Sequence, residues 1–100
     1  MDLYARVGEE RLLIEAKSLN SFRDAVNRVR YGIGQLADYS YRYQEETGDA
    51  KRVLAFARPP APEVSWVGVV LDRERIAFVC ASDAGILALN ETARALPILT

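Results

Sequence analysis

A run of three large apolar residues that leads into two charged ones constrains the fold of this chain more than any other feature. Leu12, Leu13 and Ile14 follow one another directly, and Glu15 and Lys17 come next, two positions apart. Continuous apolar runs are typical of strands that are covered on both faces, as in α/β sheets. Because strand side chains alternate, Glu15 and Lys17 belong to one face. We therefore expect a buried strand that carries an acid and a base on the same face of a sheet.

Residues 2–44 predict two strands followed by a helix. Residues 2–6 alternate polar and apolar side chains, which indicates a short strand. Residues 7–10 contain a glycine and predict the turn of a hairpin with the apolar strand at 11–17. A capping-box-like start at Ser21 predicts a helix to about Gln44, ended by the Thr47-Gly48 pair.

The predicted helix has two faces. At about 100° per residue, five apolar residues form a stripe for the core: Phe22, Val26, Val29, Ile33 and Leu36. A second stripe is mainly polar and contains Arg28, Gly32, Gln35, Tyr39 and Arg42. Gly32 and Gly34 each weaken a helix by about 1 kcal/mol relative to alanine. We expect them either to permit close packing or to make the first half of the helix irregular.

The second half of the chain predicts further α/β structure. Residues 52–57 indicate a buried strand, which the proline-rich segment 58–62 ends. Residues 63–71 are rich in valine, as strands are, but a crossover to a parallel strand favours a helix. Residues 76–80 predict a strand, and residues 83–95 a short helix interrupted early by Gly85. The order β-β-α-β-(α)-β-α in 100 residues predicts a single α/β domain.

Composition excludes several classes of function. The chain has no histidine, which removes Ser-His-Asp and Cys-His catalysis, histidine-metal nucleases and HExxH proteases. Its single cysteine, Cys80, excludes an internal disulfide framework and a cysteine-based zinc site. Any metal must therefore have oxygen ligands, which favours magnesium, manganese or calcium. Without a signal peptide or a run of about 18 apolar residues, a cytoplasmic location off the membrane is expected.

A set of residues suited to phosphate chemistry surrounds the Glu-x-Lys pair. Asp2 and Glu15, on adjacent strands, could supply carboxylates to a metal, with the carbonyl of Ala16 as a third oxygen ligand. Lys17 could orient a water molecule or stabilise the negative charge of the reacting phosphate. Gln35 and Tyr39, one turn apart, could position the substrate. Residues 21–44 contain four arginines against two aspartates, so we expect phosphate contacts from Arg28 and Arg42.

This set resembles the PD-(D/E)xK nuclease superfamily, in particular its Gln-x-x-x-Tyr branch, which includes RecB-type, Cas4 and lambda-exonuclease-like nucleases. The matching residues are Asp2, the Glu15-Ala16-Lys17 motif, Gln35 and Tyr39, so the resemblance covers residues 2–56 and more loosely extends to 80. It implies a restriction-endonuclease-like mixed sheet, in a minimal or truncated form. It also implies a Mg²⁺-dependent (or Mn²⁺-dependent) hydrolase that acts on DNA. In the family, Asp2 and Glu15 correspond to the metal acids and Lys17 to the lysine.

One departure from the family concerns the segment before the first acid. The family places a helix and often a strand there, whereas Asp2 follows Met1 in this sequence. Loss of a covering helix would leave apolar sheet surface exposed. We therefore expect a homodimer or a partner chain to supply the missing layer.

Two alternative hypotheses remain open. The chain is either an inactive relative that acts as a nucleic-acid-binding or dimerisation module, or an α/β protein-interaction domain in which the motif is coincidental. Under the latter, Glu15 and Lys17 form a surface ion pair, and Gln35 and Tyr39 are ordinary helix surface. Structural roles are expected elsewhere: Asp72, Asp83 and Glu91 in turns and caps, Cys80 in the core, and Trp66 in the core or an interface.

Overall fold

A computed structural model of the chain describes residues 2–7, 10–17, 22–42, 50–60 and 66–96. It shows a small mixed α/β domain with five strands and three helices among these residues. In chain order the elements are β1 (Asp2–Val7), β2 (Glu10–Lys17), α1 (Phe22–Arg42), β3 (Lys51–Phe56), α2 (Trp66–Arg73), β4 (Ile76–Ser82), β5 (Gly85–Ala88) and α3 (Glu91–Arg94).

The five strands form one mixed sheet in the order β1-β2-β3-β4-β5. The β1–β2 hairpin is antiparallel, β2, β3 and β4 are mutually parallel, and β5 returns antiparallel to β4. The helices α1 and α2 are the crossovers that parallel neighbours require. The predicted α/β class and the predicted order from β1 to β4 are therefore confirmed.

One face of the sheet, called the α1 face here, packs against α1 and α2. Its buried strand residues are Leu13, Leu54, Phe56, Ile76, Phe78 and Cys80. Val29 and Leu36 of α1, with Val67 and Leu71 of α2, complete this core. The rings of Phe56 and Phe78 meet edge to face, with centroids 5.2 Å apart.

The opposite face, called the α3 face, has a smaller core. It contains Leu12, Val53, Ala77 and Val79 from the strands, covered by Ala93 and Leu96 at and after α3. Leu12 lies in this core while Leu13 lies in the core of the α1 face. The prediction that the Leu-Leu-Ile strand is covered on both faces is therefore confirmed.

The predicted helix over residues 83–95 is wrong in its first half. After a tight turn the chain forms β5, which pairs Ile86 with Ala81 and Leu87 with Cys80. Gly85 adopts φ 111°, a conformation that favours glycine and that suits a turn better than a helix. The helix α3 spans only Glu91–Arg94, because Asn90 caps its start.

Most other predictions for single residues can be tested in the described ranges. The helix expected over residues 63–71 is present as α2, although residues 61–65 lie outside the described residues, as does the predicted end of α1 at 43–49. Cys80 is fully buried as predicted, and burial raises the pKa of its thiol. Trp66 is 47% exposed, so of its two expected places the core is wrong, and an interface stays a prediction. Glu91 lies in the first turn of α3, as expected for a cap, and Asp83 lies in the turn between β4 and β5.

Candidate functional site

The register of the β1–β2 hairpin places Asp2 directly opposite Glu15. Residues opposite one another in an antiparallel pair share a face, and their Cβ atoms lie about 4.5–5.5 Å apart. Two carboxylate-bearing positions at this separation are close enough for both to ligate one cation. The hairpin thus brings together two acids that have twelve residues between them in the sequence.

Glu15 is a fully buried acid on the α1 face. Its relative exposure is 0%. It pairs with Leu54 of β3, which belongs to the core of the α1 face. The Oε2 atom of Glu15 accepts no hydrogen bond within the described ranges, although the residue takes part in another interaction. Burying a carboxylate is costly unless it is paired or ligates a metal. A solvated surface ion pair is therefore the wrong description of Glu15.

Ala16 and Lys17 continue β2 beyond Glu15. Ala16 lies opposite Ala55 of β3, is half-buried and takes part in an interaction within the protein. Lys17 is the last residue of β2 and lies opposite Phe56. Since it is two positions from Glu15, it occupies a position of the same face. The carboxyl end of β2 therefore carries the whole Glu-x-Lys motif beside Asp2.

Gly32 brings α1 close to the strand that neighbours Glu15. A Cβ atom at Gly32 would lie 2.5 Å from Cδ1 of Leu54, so only glycine fits here without a shift of that side chain. The close packing predicted for Gly32 is confirmed, whereas a Cβ at Gly34 would meet nothing within 4 Å. The helix is continuous through both glycines.

Gln35 and Tyr39 lie on the side of α1 that faces the sheet. Both are half-buried, both take part in interactions within the protein, and Tyr39 packs against the core of the α1 face. They are therefore not plain helix surface. At about 1.5 Å per residue, Gln35 lies roughly 5 Å and Tyr39 roughly 10 Å beyond Gly32 along the helix. Because α1 is a crossover, this direction leads away from the carboxyl end of β2, so the backbone at Tyr39 is not level with Glu15.

The two predicted phosphate-binding arginines lie towards opposite ends of α1. Arg28 precedes Gly32 by one turn, towards the Lys17 end of β2, and is half-buried with an interaction within the protein. Arg42 lies in the last turn and is exposed. Its guanidinium donates two hydrogen bonds, of 3.2 and 2.9 Å, to Oδ2 of Asp38. Arg28 is thus the nearer of the two arginines to the carboxylate pair.

A shallow cleft lies at the carboxyl ends of β3 and β4, beside Lys17 in the strand order. It has a volume of about 370 Å³, and its lining includes Arg58, Ser82 and Asp83. The carboxyl edge of parallel strands is where open α/β sheets usually bind ligands. The cleft therefore lies at the same edge of the sheet as the end of β2, although no described side chain of the Glu-x-Lys motif lines it.

Asn90 is a second buried polar residue, and its partners are structural. Its side-chain amide donates to the carbonyls of Ile76 (2.9 Å) and Gly68 (3.4 Å). Its Oδ1 accepts from the backbone N–H groups of Phe78 (3.0 Å) and Ala93 (2.9 Å). These bonds join β4, α2 and α3, so Asn90 holds the second half of the fold together.

Asp72 provides a further cap to α3. It accepts hydrogen bonds from the backbone N–H (2.9 Å) and the hydroxyl (2.7 Å) of Thr92. Burial alone would raise the pKa of Asp72, but hydrogen bonds from Thr92 and Glu91 and the charge of Arg94 outweigh it, so the pKa lies below its ordinary value. The expected capping role of Asp72 is confirmed, although the helix it caps is not its own.

Two arginines in the hairpin have no role that the sequence alone predicts. Arg6 lies directly opposite Arg11, four positions along β1 from Asp2. The length of the hairpin connection could have revealed this pair from the sequence. Val7 pairs with Glu10, and once a connection of two residues is assumed, every other pair of the hairpin follows.

Comparison with known proteins identifies no relative of this chain. No known family model, curated protein or solved structure matches this chain. In the ranges that the structure describes, no three histidine, cysteine or acidic residues cluster as metal ligands. Nor does any helix there have the length and apolar character needed to cross a membrane.

Proposed function

We propose that this chain is a nuclease-like domain of PD-(D/E)xK type that hydrolyses DNA phosphodiester bonds with a divalent metal ion. The single observation that carries the proposal is the register pair of Asp2 with a fully buried Glu15. A buried acid opposite a second acid is unfavourable in a plain structural sheet, because like charges opposite one another destabilise it. A cation between them removes that cost.

The residues at this position fit a hard divalent cation. The carboxylates of Asp2 and Glu15, with the carbonyl of Ala16, form an oxygen donor set of the kind that Mg²⁺ or Mn²⁺ prefers. Two acids and a carbonyl need no third acidic side chain, because Mg²⁺ usually keeps several waters. When bound, such an ion activates a water molecule and neutralises charge on the phosphate.

The remaining residues act on the substrate. Lys17, two positions from Glu15 on the same strand, stabilises negative charge that develops on the phosphate. Gln35 positions the substrate from α1, and Tyr39 does so from one turn further along the helix. Arg28 contacts a phosphate at the carboxyl end of β2, while Arg42 contacts one at the other end of α1.

The topology supports a restriction-endonuclease-like fold in a minimal form. A strand hairpin, a crossover helix and a parallel third strand are the core that the resemblance implies, and β1, β2, α1 and β3 follow that order. The two acids and the lysine occupy the hairpin positions that the motif requires.

The test is a cleavage assay on single-stranded DNA, duplex DNA and RNA with Mg²⁺ or Mn²⁺. Glu15→Gln keeps the size of the side chain and removes its charge, so we expect cleavage to be lost. Glu74→Gln removes an acid from an exposed turn and should cleave as the wild type does. Equal cleavage by wild type and Glu15→Gln would contradict the proposed site.

Dimerisation is the alternative function that a specific observation favours. The edge strand β5 has no charged side chain, and Ile86 and Leu87 are 57% and 45% exposed. Uncharged edges invite pairing with another strand, and antiparallel pairing of β5 with β5 of a second copy is self-complementary. Sedimentation should show a concentration-dependent dimer that Ile86→Lys disrupts and Tyr41→Lys, on exposed α1 surface, does not. A monomer at all concentrations would exclude this alternative.

A further inference from the structure

The hairpin carries a second like-charge pair besides the two acids. Arg6 and Arg11 lie directly opposite one another, so their positions share a face. Arg6 is exposed, and Arg11 is half-buried and takes part in an interaction within the protein. Like charges directly opposite one another destabilise a sheet. Two cationic positions on one face would also attract an anion that spans both of them.

The arginine pair lies on the same face as the carboxylate pair. Moving along the hairpin by two residues at a time, the pairs are Asp2 with Glu15, Tyr4 with Leu13, and Arg6 with Arg11. Leu13 belongs to the core of the α1 face, which fixes the face that all three pairs occupy. At about 3.4 Å per residue, the arginine pair lies roughly 14 Å from the acids.

An exposed tyrosine lies between the two pairs. Tyr4 is 42% exposed, which leaves its ring accessible beside the path from the acids to the arginines. Aromatic rings next to cationic side chains are the common platform for nucleic-acid strands, since the ring stacks on a base and the cation contacts the backbone.

The last turn of α1 lies towards the arginine end of the hairpin. Arg42 and Tyr41 lie there, because α1 leads to the amino end of β3, where Lys51 is opposite Leu12. Within the described ranges, Asp38 pairs with Arg42, and Glu10, as the neighbour of Arg11 in β2, belongs to the other face. The α1 face of the hairpin therefore changes from acidic at Asp2 to basic at Arg6.

We propose that Arg6 and Arg11 bind phosphates of a nucleic-acid strand whose neighbouring base stacks on Tyr4. The strand runs along the hairpin, so a phosphate several nucleotides away reaches the carboxylate pair. This inference rests on the proposed function, because it extends the substrate path of that site. It assigns the arginine pair to binding and positioning, not to the chemical step.

The test measures binding of fluorescent single-stranded DNA of about 12 nucleotides, within the roughly 4–16 that a single-strand-binding domain covers. Anisotropy titrations in EDTA between about 50 and 200 mM salt give both affinity and salt slope. We expect Arg6→Gln to weaken binding about ten-fold and to reduce the salt slope by about 0.7. The double change Arg6→Gln with Arg11→Gln should approximately double the loss of slope. Tyr4→Ala should weaken binding at an unchanged slope, because stacking releases no counterions.

Arg73→Gln is the matched control, since it removes an exposed arginine from α2, which covers the other half of the sheet. Thermal melts verify that each variant folds. If Arg6→Gln and Arg11→Gln change affinity and slope no more than Arg73→Gln does, the arginine pair is not a phosphate site. Failure of the folded wild type to bind nucleic acid would equally overturn the assignment of the arginine pair.

Cleavage assays separate this inference from the proposed function. If the wild type cleaves DNA and the arginine variants bind and cleave equally well, the arginine pair fails while the nuclease proposal stands. If the wild type binds nucleic acid in an arginine-dependent way but neither binds Mn²⁺ nor cleaves DNA, the phosphate-binding role of the arginine pair is supported and the nuclease proposal is contradicted.

Discussion

Glu15 and Asn90 are equally deep in the protein but differ in what surrounds them. Within the described part of the chain they are the two buried polar residues, at 0% and 2% exposure. Asn90 makes four hydrogen bonds to backbone groups of β4, α2 and α3. Glu15 lies opposite another acid, and its Oε2 atom accepts no hydrogen bond from the residues that the structure describes, although the residue takes part in another interaction.

The difference separates a structural residue from a candidate site residue. A buried amide whose donors and acceptors are all used stabilises the fold and needs no ligand. Burying a carboxylate opposite a second acid costs stability, and the Oε2 atom of Glu15 accepts no hydrogen bond within the described ranges, so a cation at that atom would lower the cost. We infer that the hairpin end of the sheet is shaped for binding and the α3 end for stability. The following predictions test this contrast, from the largest expected effect to the smallest.

Replacing Asn90 should have the largest effect on stability. Asn90→Ala leaves the N–H of Phe78 and the carbonyl of Ile76 buried without their partner, which should lower the free energy of unfolding by about 3–5 kcal/mol. Urea denaturation measures this change. Asn27→Ala, on exposed α1 surface, is the control and should cost less than about 0.5 kcal/mol. A cost below about 1 kcal/mol for Asn90→Ala would contradict the structural role assigned to Asn90.

The approach of α1 to the Glu15 strand should depend on Gly32. Gly32→Ala forces Leu54 to move in a packed core, and we expect a loss of about 1–3 kcal/mol. Gly34→Ala is the matched control, because its Cβ meets nothing, and it should stabilise the helix by about 0.5–1 kcal/mol. Denaturation of both variants should therefore give opposite signs. Two stabilising results would show that the helix does not need this close contact.

Asp72 tests whether a carboxylate can be purely structural. Asp72→Asn weakens the cap on Thr92 and should cost about 1 kcal/mol at neutral pH. The pKa of Asp72 is lower in the folded protein, so its stabilisation is present above the unfolded pKa and is lost as pH falls through the folded pKa. The difference between wild type and variant should thus shrink below about pH 4. A difference that is constant with pH would contradict this role.

Glu15→Gln should have the smallest effect on stability. The substitution keeps the shape of the side chain and removes a buried charge, so without metal we expect a change within about 1 kcal/mol, in either direction. Thermal melts in EDTA check this result. A loss comparable to that of Asn90→Ala would show that Glu15 has a structural role like that of Asn90.

The first half of the fold was largely predictable because local signals and tertiary packing agree there. The apolar run before Glu15 requires cover on both faces, and the short turn fixes Asp2 opposite it. In contrast, β5 was missed because Ile86 and Leu87 are compatible with a helix or a strand, and only pairing with β4 decides between them. Burial of Glu15 was also beyond the sequence, since it depends on how closely α1 packs at Gly32.

Calorimetric titration with Mn²⁺ tests the central claim most directly, with wild type beside Glu15→Gln and the Glu74→Gln control. We predict saturable binding to the wild type and to Glu74→Gln, and loss of that binding in Glu15→Gln, because the proposed site uses the carboxylate of Glu15 as a metal ligand. Equal binding to all three proteins, or no binding to a folded wild type, would contradict a metal site at the Asp2–Glu15 pair.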